Sequence, residues 1–294
     1  MTRRGQALLA ALLTLLAVLA LFAGCGDDEE EQPGATTPAG TATEGAAIDI
    51  SDVPELEDGK LTIGSDIAYA PIEYFEEGTN TATGMDIDLA TAMADLLGVE
   101  VEFQQVADFA GIVGDLKSKR YDIIMSAISI TPEREAEIDF IPYFGPVGTG
   151  ILVKTGNPDN IQKLEDLCGR KVAAQVGTYQ VDQMTALNDG ACADNPIDIQ
   201  TFPDNPAAVQ DLTLGRVVAE LADDPVAAYT ASQSEGGLVE LVVTGFEAAP
   251  YGIGVRKDST ELKRVMQEAL DRIIADGSYT GILTDWGQEQ FALQ

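Results

Sequence analysis

The sequence predicts an α/β protein made of two comparable halves with a cleft between them. Three observations carry that prediction. Short apolar strands alternate with amphipathic helices from about residue 59. The same rhythm restarts after a Pro- and Gly-rich crossing from Pro142 to Gly150. A hydrophobic content of 45% over 294 residues is enough for two cores. Lys and Arg number 17 against 49 Asp and Glu, a formal charge of −32, so no basic face for a phosphate backbone is expected and nucleic acid is excluded as the partner. The chain has 0 His, which removes Ser-His and Cys-His nucleophile systems and the commonest metal ligand. No metal and no cofactor is expected.

At the start, Arg3 and Arg4 precede an apolar run from Ala7 to Ala23 broken only by Thr14, the pattern of an export signal. A permanent N-terminal anchor helix is the competing reading of this run. The run ends Leu21-Phe22-Ala23-Gly24-Cys25, which resembles a bacterial lipobox and implies lipidation of Cys25 after cleavage at residue 24. Phe22 departs from the Leu usual there. Residues 26–58 hold eleven acids and no Lys or Arg, a composition that reads as a disordered, self-repelling tether.

Elements follow in order. Leu61-Thr62-Ile63 reads as a strand, Asp86 to Leu97 as a helix stopping at Gly98, and Val99, Val101 and Phe103 as a half-buried strand. A helix begins near Ile112, and Tyr121 to Met125 is the next strand. Beyond the crossing, Ile151-Leu152-Val153 reads as a strand, Leu164 to Leu167 as a short helix and Val172 to Val176 as a strand. Asn205 is expected to cap a helix with Pro206 in its first position. Tyr251 to Arg256 is a last strand before a long helix from about Asp258 to Asp276.

Several residues could carry chemistry at strand ends. Thr131-Pro132-Glu133-Arg134 reads as a helix start, and Arg134 in that first turn is disfavoured by the helix dipole unless an anion is near. Its planar fork suits a carboxylate; pairing with Glu137 is the bland alternative. Gly177-Thr178-Tyr179-Gln180 offers free amides and a hydroxyl to an anion. Asp223 and Asp224 close an apolar strand, where one could take an ammonium and the other cap the helix at Pro225. Tyr69 and Phe109 sit past strands as walls of a cleft or as core. Asp86 and Asp88 are two apart on a helix and point away from each other, which favours capping over a carboxylate pair.

In order, Gly64-Ser65-Asp66, Tyr69-Ala70-Pro71 with Glu73, Gly84 to Ala90, Tyr121 to Arg134, Leu164 to Leu167 with Gly169, Gly177-Thr178 with Gln180, and Asp276-Gly277 resemble the family 3 extracellular solute-binding proteins over about residues 59 to 290. The resemblance implies a two-lobed periplasmic-binding-protein type II fold with a two-segment hinge near 145–150 and 245–251. It places residues 59–145 and 250–294 in lobe 1 and 146–249 in lobe 2. It assigns Arg134, Ser129 and the amides of Thr178 and Tyr179 to an α-carboxylate. Asp223 with the backbone near Ser126 and Ala127 goes to an α-ammonium, Tyr69 and Phe109 to a side-chain sandwich, and Asp66 to a polar side-chain contact. Ala127 lacks the hydroxyl of some members, and Tyr179 stands where Thr is frequent.

The function so implied is an exported, lipid-anchored, monomeric receptor on the outer face of the cell membrane. It would bind a free L-amino acid and deliver it to an ABC-importer permease, and it would not be an enzyme. Asp66 and Glu73 favour a polar or cationic side chain. The competing class is a lyase on the same fold, similar to cyclohexadienyl dehydratase, which needs a general acid in the cleft. Export supplies an oxidising compartment and Cys25 is otherwise engaged, so Cys168 and Cys192 are expected to form a disulfide.

Overall fold

Leu61 and Ile63 are buried between half-buried Lys60 and Thr62, and that alternation makes β1 (Lys60–Ser65) the founding strand of the main sheet. The computed structural model describes residues 47–234 and 236–293; the expectations for the leader, for Cys25 and for the tether up to residue 46 lie outside them. Short β2 (Ala68–Tyr69), β3 (Glu73–Phe75) and β4 (Ala82–Thr83) make a small antiparallel sheet that leads into α1 (Met85–Leu97). Gly84 opens this helix at φ +132°, where a Cβ would come within 2.3 Å of the Ile72 carbonyl oxygen.

The first half continues through β5 (Glu100–Gln105), α2 (Ile112–Lys117), β6 (Ile123–Ile124) and α3 (Pro132–Glu137). Then β7 (Asp139–Lys154) crosses into the second half, built from β8 (Lys171–Gln175), α4 (Tyr179–Asp189), β9 (Asp198–Phe202), α5 (Asn205–Thr213), β10 (Ala219–Asp223) and α6 (Asp224–Gln233). β11 (Val239–Val255) crosses back, and α7 (Thr260–Asp276) and α8 (Ser278–Asp285) end the chain against α1. The strand order is β5-β1-β6-β11-β7-β10-β8-β9. β5, β1 and β6 are parallel, as are β10, β8 and β9, and the antiparallel pair β7 and β11 joins the two sets.

The sequence shows Ile151–Val153 and Tyr251–Arg256 as short separate strands, and here the structure differs. Both are ends of strands 16 and 17 residues long that pair along their whole length, with register breaks between Leu241 and Gly252. Prolines and glycines had marked the crossing as loop, but bulges let such residues stay in a ladder. The cap of α5 also moves by one. Asp204 Oδ1 accepts from the Ala207 amide at 2.8 Å, while Asn205 Nδ2 donates to Glu220 Oε1 at 2.8 Å. Leu164–Leu167 is a single 3₁₀ turn. Cys168 and Cys192 form a disulfide, with Cα atoms 5.2 Å apart.

Residues 47–58, read as the end of the tether, are folded. Ile48, Val53 and Leu56 are buried in the core that also holds Leu61 and Ile63. Glu55 accepts from Arg256 Nη2 at 3.1 Å and from Ser259 Oγ at 2.5 Å. The acidic composition hid three apolar residues at a spacing that packs, and a buried arginine that needs one of the acids. Leu56→Ala is therefore expected to lower the unfolding free energy by about 2–4 kcal/mol, measured by denaturant titration. A tether would give no change.

Candidate functional site

The parallel strands of both halves deliver their carboxyl ends to one cavity. Asp66 follows β1, Ser126, Ala127 and Ser129 follow β6, Gln175 and Thr178 end or follow β8, and Asp223 ends β10. Tyr69, Phe109, Arg134 and Tyr179 also line it, so the structure brings to one place all ten residues that the resemblance assigns to the ligand. Glu73, Gln175 and Gln180 join them.

Arg134 sits in the first turn of α3, where Thr131 caps through a 3.3 Å bond from the Arg134 amide. Its guanidinium donates to the Ser129 carbonyl at 2.7 Å and, across the cleft, to the Gly177 carbonyl at 3.0 Å. The ring of Phe109 lies beneath it, 5.7 Å from Cζ. Glu137 is not its partner; that carboxylate pairs with Lys117. Burial lowers the Arg134 pKa from its ordinary value, opposed by Asp182 and Asp223. Thr178 Oγ1 donates to the Gln175 carbonyl at 2.8 Å, and the first amides of α4 begin just beyond it, where a helix has no internal acceptors for them.

Asp223 is 5% exposed and accepts three hydrogen bonds, from Tyr251 Oη at 2.8 Å, Tyr69 Oη at 3.2 Å and Gln180 Nε2 at 2.8 Å. Burial pushes its pKa up to about 6 against these three donors. The Tyr69 hydroxyl also accepts from the Asp223 amide at 3.0 Å, so this ring is a brace for the carboxylate as well as a wall. Asp224 does not cap α6. Both its oxygens take the Gly245 amide of β11, at 3.1 and 2.9 Å, and a Cβ at Gly148 would come within 2.7 Å of Asp224 Oδ2 and 2.5 Å of Gly245 Cα. It holds the crossing strands instead.

A second acidic group occupies the other end. Asp66 takes Gln105 Nε2 at 3.0 Å on Oδ1 and Gln175 Nε2 on Oδ2, the latter again from across the cleft. Burial raises its pKa. The Asp66 amide donates to Ser126 Oγ at 2.9 Å, and Ser126 Oγ donates to Glu73 Oε1 at 3.0 Å. Asp86 caps nothing: its Oδ2 takes Tyr143 Oη at 2.6 Å and the amide of Ala127 at 3.0 Å, and Ala127 is held at φ +44°. Asp88 instead accepts from Trp286 Nε1 at 2.7 Å. The carboxyl neighbour of Asp86 is Glu73, thirteen residues away on β3, and the two groups influence each other's proton.

Gln105, Gln175 and Tyr251 were missed in the sequence. A glutamine closing the apolar run Val172-Ala173-Ala174 is the one visible signal, and it does not say what the amide meets. Among the described residues, no group of three or more metal-ligating side chains occurs.

The model of bacterial extracellular solute-binding proteins, family 3, matches residues 61–289, and the chain belongs to that family. It is similar to the L-cystine-binding protein TcyJ of Escherichia coli strain K12, 29% identical over 232 residues covering 78% of this chain and 83% of that one. Arginine-binding protein ArgT of Corynebacterium glutamicum is 31% identical over 243 residues, 81% of this chain and 78% of its own. A solved ancestral arginine-binding protein bound to arginine superposes with a TM-score of 0.72 at 36% identity, covering 78% of this chain and 98% of that one. The fold is thus the two-lobed periplasmic-binding-protein type II fold, and these relatives are binding proteins, not enzymes.

The buried acids set a pH dependence. Glu220, fully buried and held by Asn205, has its pKa pushed by burial from 4.5 up to about 8, and burial likewise raises the Glu73–Asp86 pair, which titrates as a unit. Both keep their protons to higher pH in the folded chain than in the unfolded one. Unfolding free energy is therefore expected to fall as pH rises from about 4.5 to 8, by up to about 1.4 kcal/mol per pH unit for each group. Glu220→Gln should flatten that slope in denaturant titrations at pH 5 and pH 8; an unchanged slope contradicts the assignment.

Proposed function

We propose that this protein is a lipid-anchored extracellular receptor that captures a free L-amino acid between its lobes and delivers it to an ABC-importer permease. One observation carries the reading: Arg134 from the first half and Asp223 from the second line a single cleft. An α-amino acid supplies a carboxylate for the first and an ammonium for the second. Ser129 and the amides of Thr178 and Tyr179 add to the carboxylate end. The Ser126 hydroxyl and the Ala127 amide are bonded to Glu73 and Asp86, so that strand end serves the ammonium through its carbonyls.

Three lining carboxyl groups, Asp66, Glu73 and Asp223, face one arginine. A zwitterion matches Arg134 and Asp223 and leaves Asp66 uncompensated, which favours a cationic side chain, with neutral amides second. The named arginine-binding relatives support the same order. In this reading lobe 1 comprises residues 47–145 and 250–294, lobe 2 residues 146–249, and the register breaks of β7 and β11 form the hinge that Asp224 ties. Cys25 carries the lipid, export places the protein on the outer face of the membrane, and it works as a monomer.

A thermal-shift screen of the twenty amino acids is expected to find stabilisation by arginine or lysine, then by glutamine. Arg134→Ala or Asp223→Ala should each weaken the best ligand by about 2–5 kcal/mol, roughly thirtyfold or more, in titration calorimetry. Asp224→Ala touches no ligand and should change affinity far less. Stabilisation by none of the twenty would overturn the reading.

A further inference from the structure

Glu73 is the one lining carboxyl with an oxygen left unserved. The residue is 1% exposed, and while Oε1 takes the Ser126 hydroxyl, Oε2 receives no hydrogen bond. Asp86, 0% exposed, has the same defect at Oδ1. A buried oxygen without a donor is costly, and two such oxygens on adjoining carboxyl groups share a remedy: one proton held between them. The groups facing the pair come from three other places in the fold. They are Asp66 after β1, Ser126 and the Ala127 amide after β6, and Tyr143 of β7. Ser126, Ala127 and Tyr143 are neutral donors, and Asp66 adds negative charge. Burial and the Asp86 charge accordingly hold the Glu73 pKa well above 4.5.

Glu73 lines the cavity together with Asp66. A cation that enters beside Asp66 therefore arrives next to a carboxyl kept protonated by burial and by the neighbouring carboxyl groups. We propose that Glu73 is a ligand-reading residue, giving up the proton it shares with Asp86 when a cationic side chain enters; this rests on the amino-acid receptor reading above. The O–H bond of the carboxyl breaks, the proton leaves to the buffer, and the one ligand cation is shared between the Asp66 and Glu73 carboxylates. A neutral side chain leaves the proton in place. Glu73 thus distinguishes cationic from neutral ligands of similar size, and its reading strengthens as pH rises.

The test is titration calorimetry of the intact protein with L-arginine and L-glutamine at pH 7 in phosphate and in Tris, whose ionisation heats differ. Both ligands bring the same α-ammonium to Asp223, so their difference isolates the side-chain end. Arginine is expected to release up to one proton more than glutamine, and its affinity to climb by up to about tenfold per pH unit between pH 6 and 8. Glu73→Gln should abolish the extra release and flatten the profile, and Asp86→Asn, which breaks the pair from the other side, should do the same. Arginine binding with the heat difference of glutamine, or a Glu73→Gln protein that still releases the extra proton, overturns the inference and leaves the receptor reading intact. Binding of glutamine with no binding of arginine also overturns it. Absence of binding by any amino acid defeats the receptor reading itself.

Discussion

The Arg134 guanidinium links the two halves of this molecule directly. One side of its fork is fixed to Ser129 in its own half, and the other reaches the Gly177 carbonyl in the opposite half. Phe109 supports its face, which keeps the planar group aligned with the cleft. A buried guanidinium bonded only to neutral carbonyls still carries an uncompensated charge, so this position attracts an anion. The rest of the site is arranged around that demand. Gly177 approaches Ala110 so closely that a Cβ would come within 2.5 Å of the Ala110 Cα, and this brings its carbonyl within reach.

The same logic with opposite sign governs the far wall. Asp223 is surrounded by neutral donors, two tyrosines and a glutamine, which stabilise its charge without cancelling it. Tyr69 and Tyr251 reach it from strands of different origin, and Gln175 reaches Asp66 across the cleft. Each half therefore contributes polar groups that find their partners only when the halves meet. A ligand with both charges adds the missing compensation at the two ends, so its binding energy favours the closed arrangement.

The fold and most of the site could be read in the sequence because both rest on short local patterns. Apolar alternation located the strands, Thr131 and Pro132 located the helix carrying Arg134, and a strand end located Asp223, while Asp66 came from the family resemblance. What escaped the sequence depends on long-range meeting. Glu73 and Asp86 pair across a turn and a small sheet, so helical spacing, which ruled out a pair of Asp86 with Asp88, left Asp86 as a cap. Asp224 looked like a cap because its true partner, the Gly245 amide, lies on β11. Residues 47–58 looked like tether because composition averages over Ile48, Val53 and Leu56, and only their burial in the Leu61 core reveals them. Gln175 gave no sign of its partner, since nothing local to β8 states what a terminal amide will face.

The central claim is that one ligand carboxylate satisfies Arg134. It is tested most directly by comparing L-arginine with agmatine, the same molecule without its carboxylate, against the wild-type protein and Arg134→Ala by titration calorimetry. The account predicts that the wild type loses about 2–5 kcal/mol on going to the amine, while Arg134→Ala binds both compounds with the same weakened affinity. Equal binding of the two compounds by the wild type, or an undiminished preference for arginine in Arg134→Ala, would contradict it.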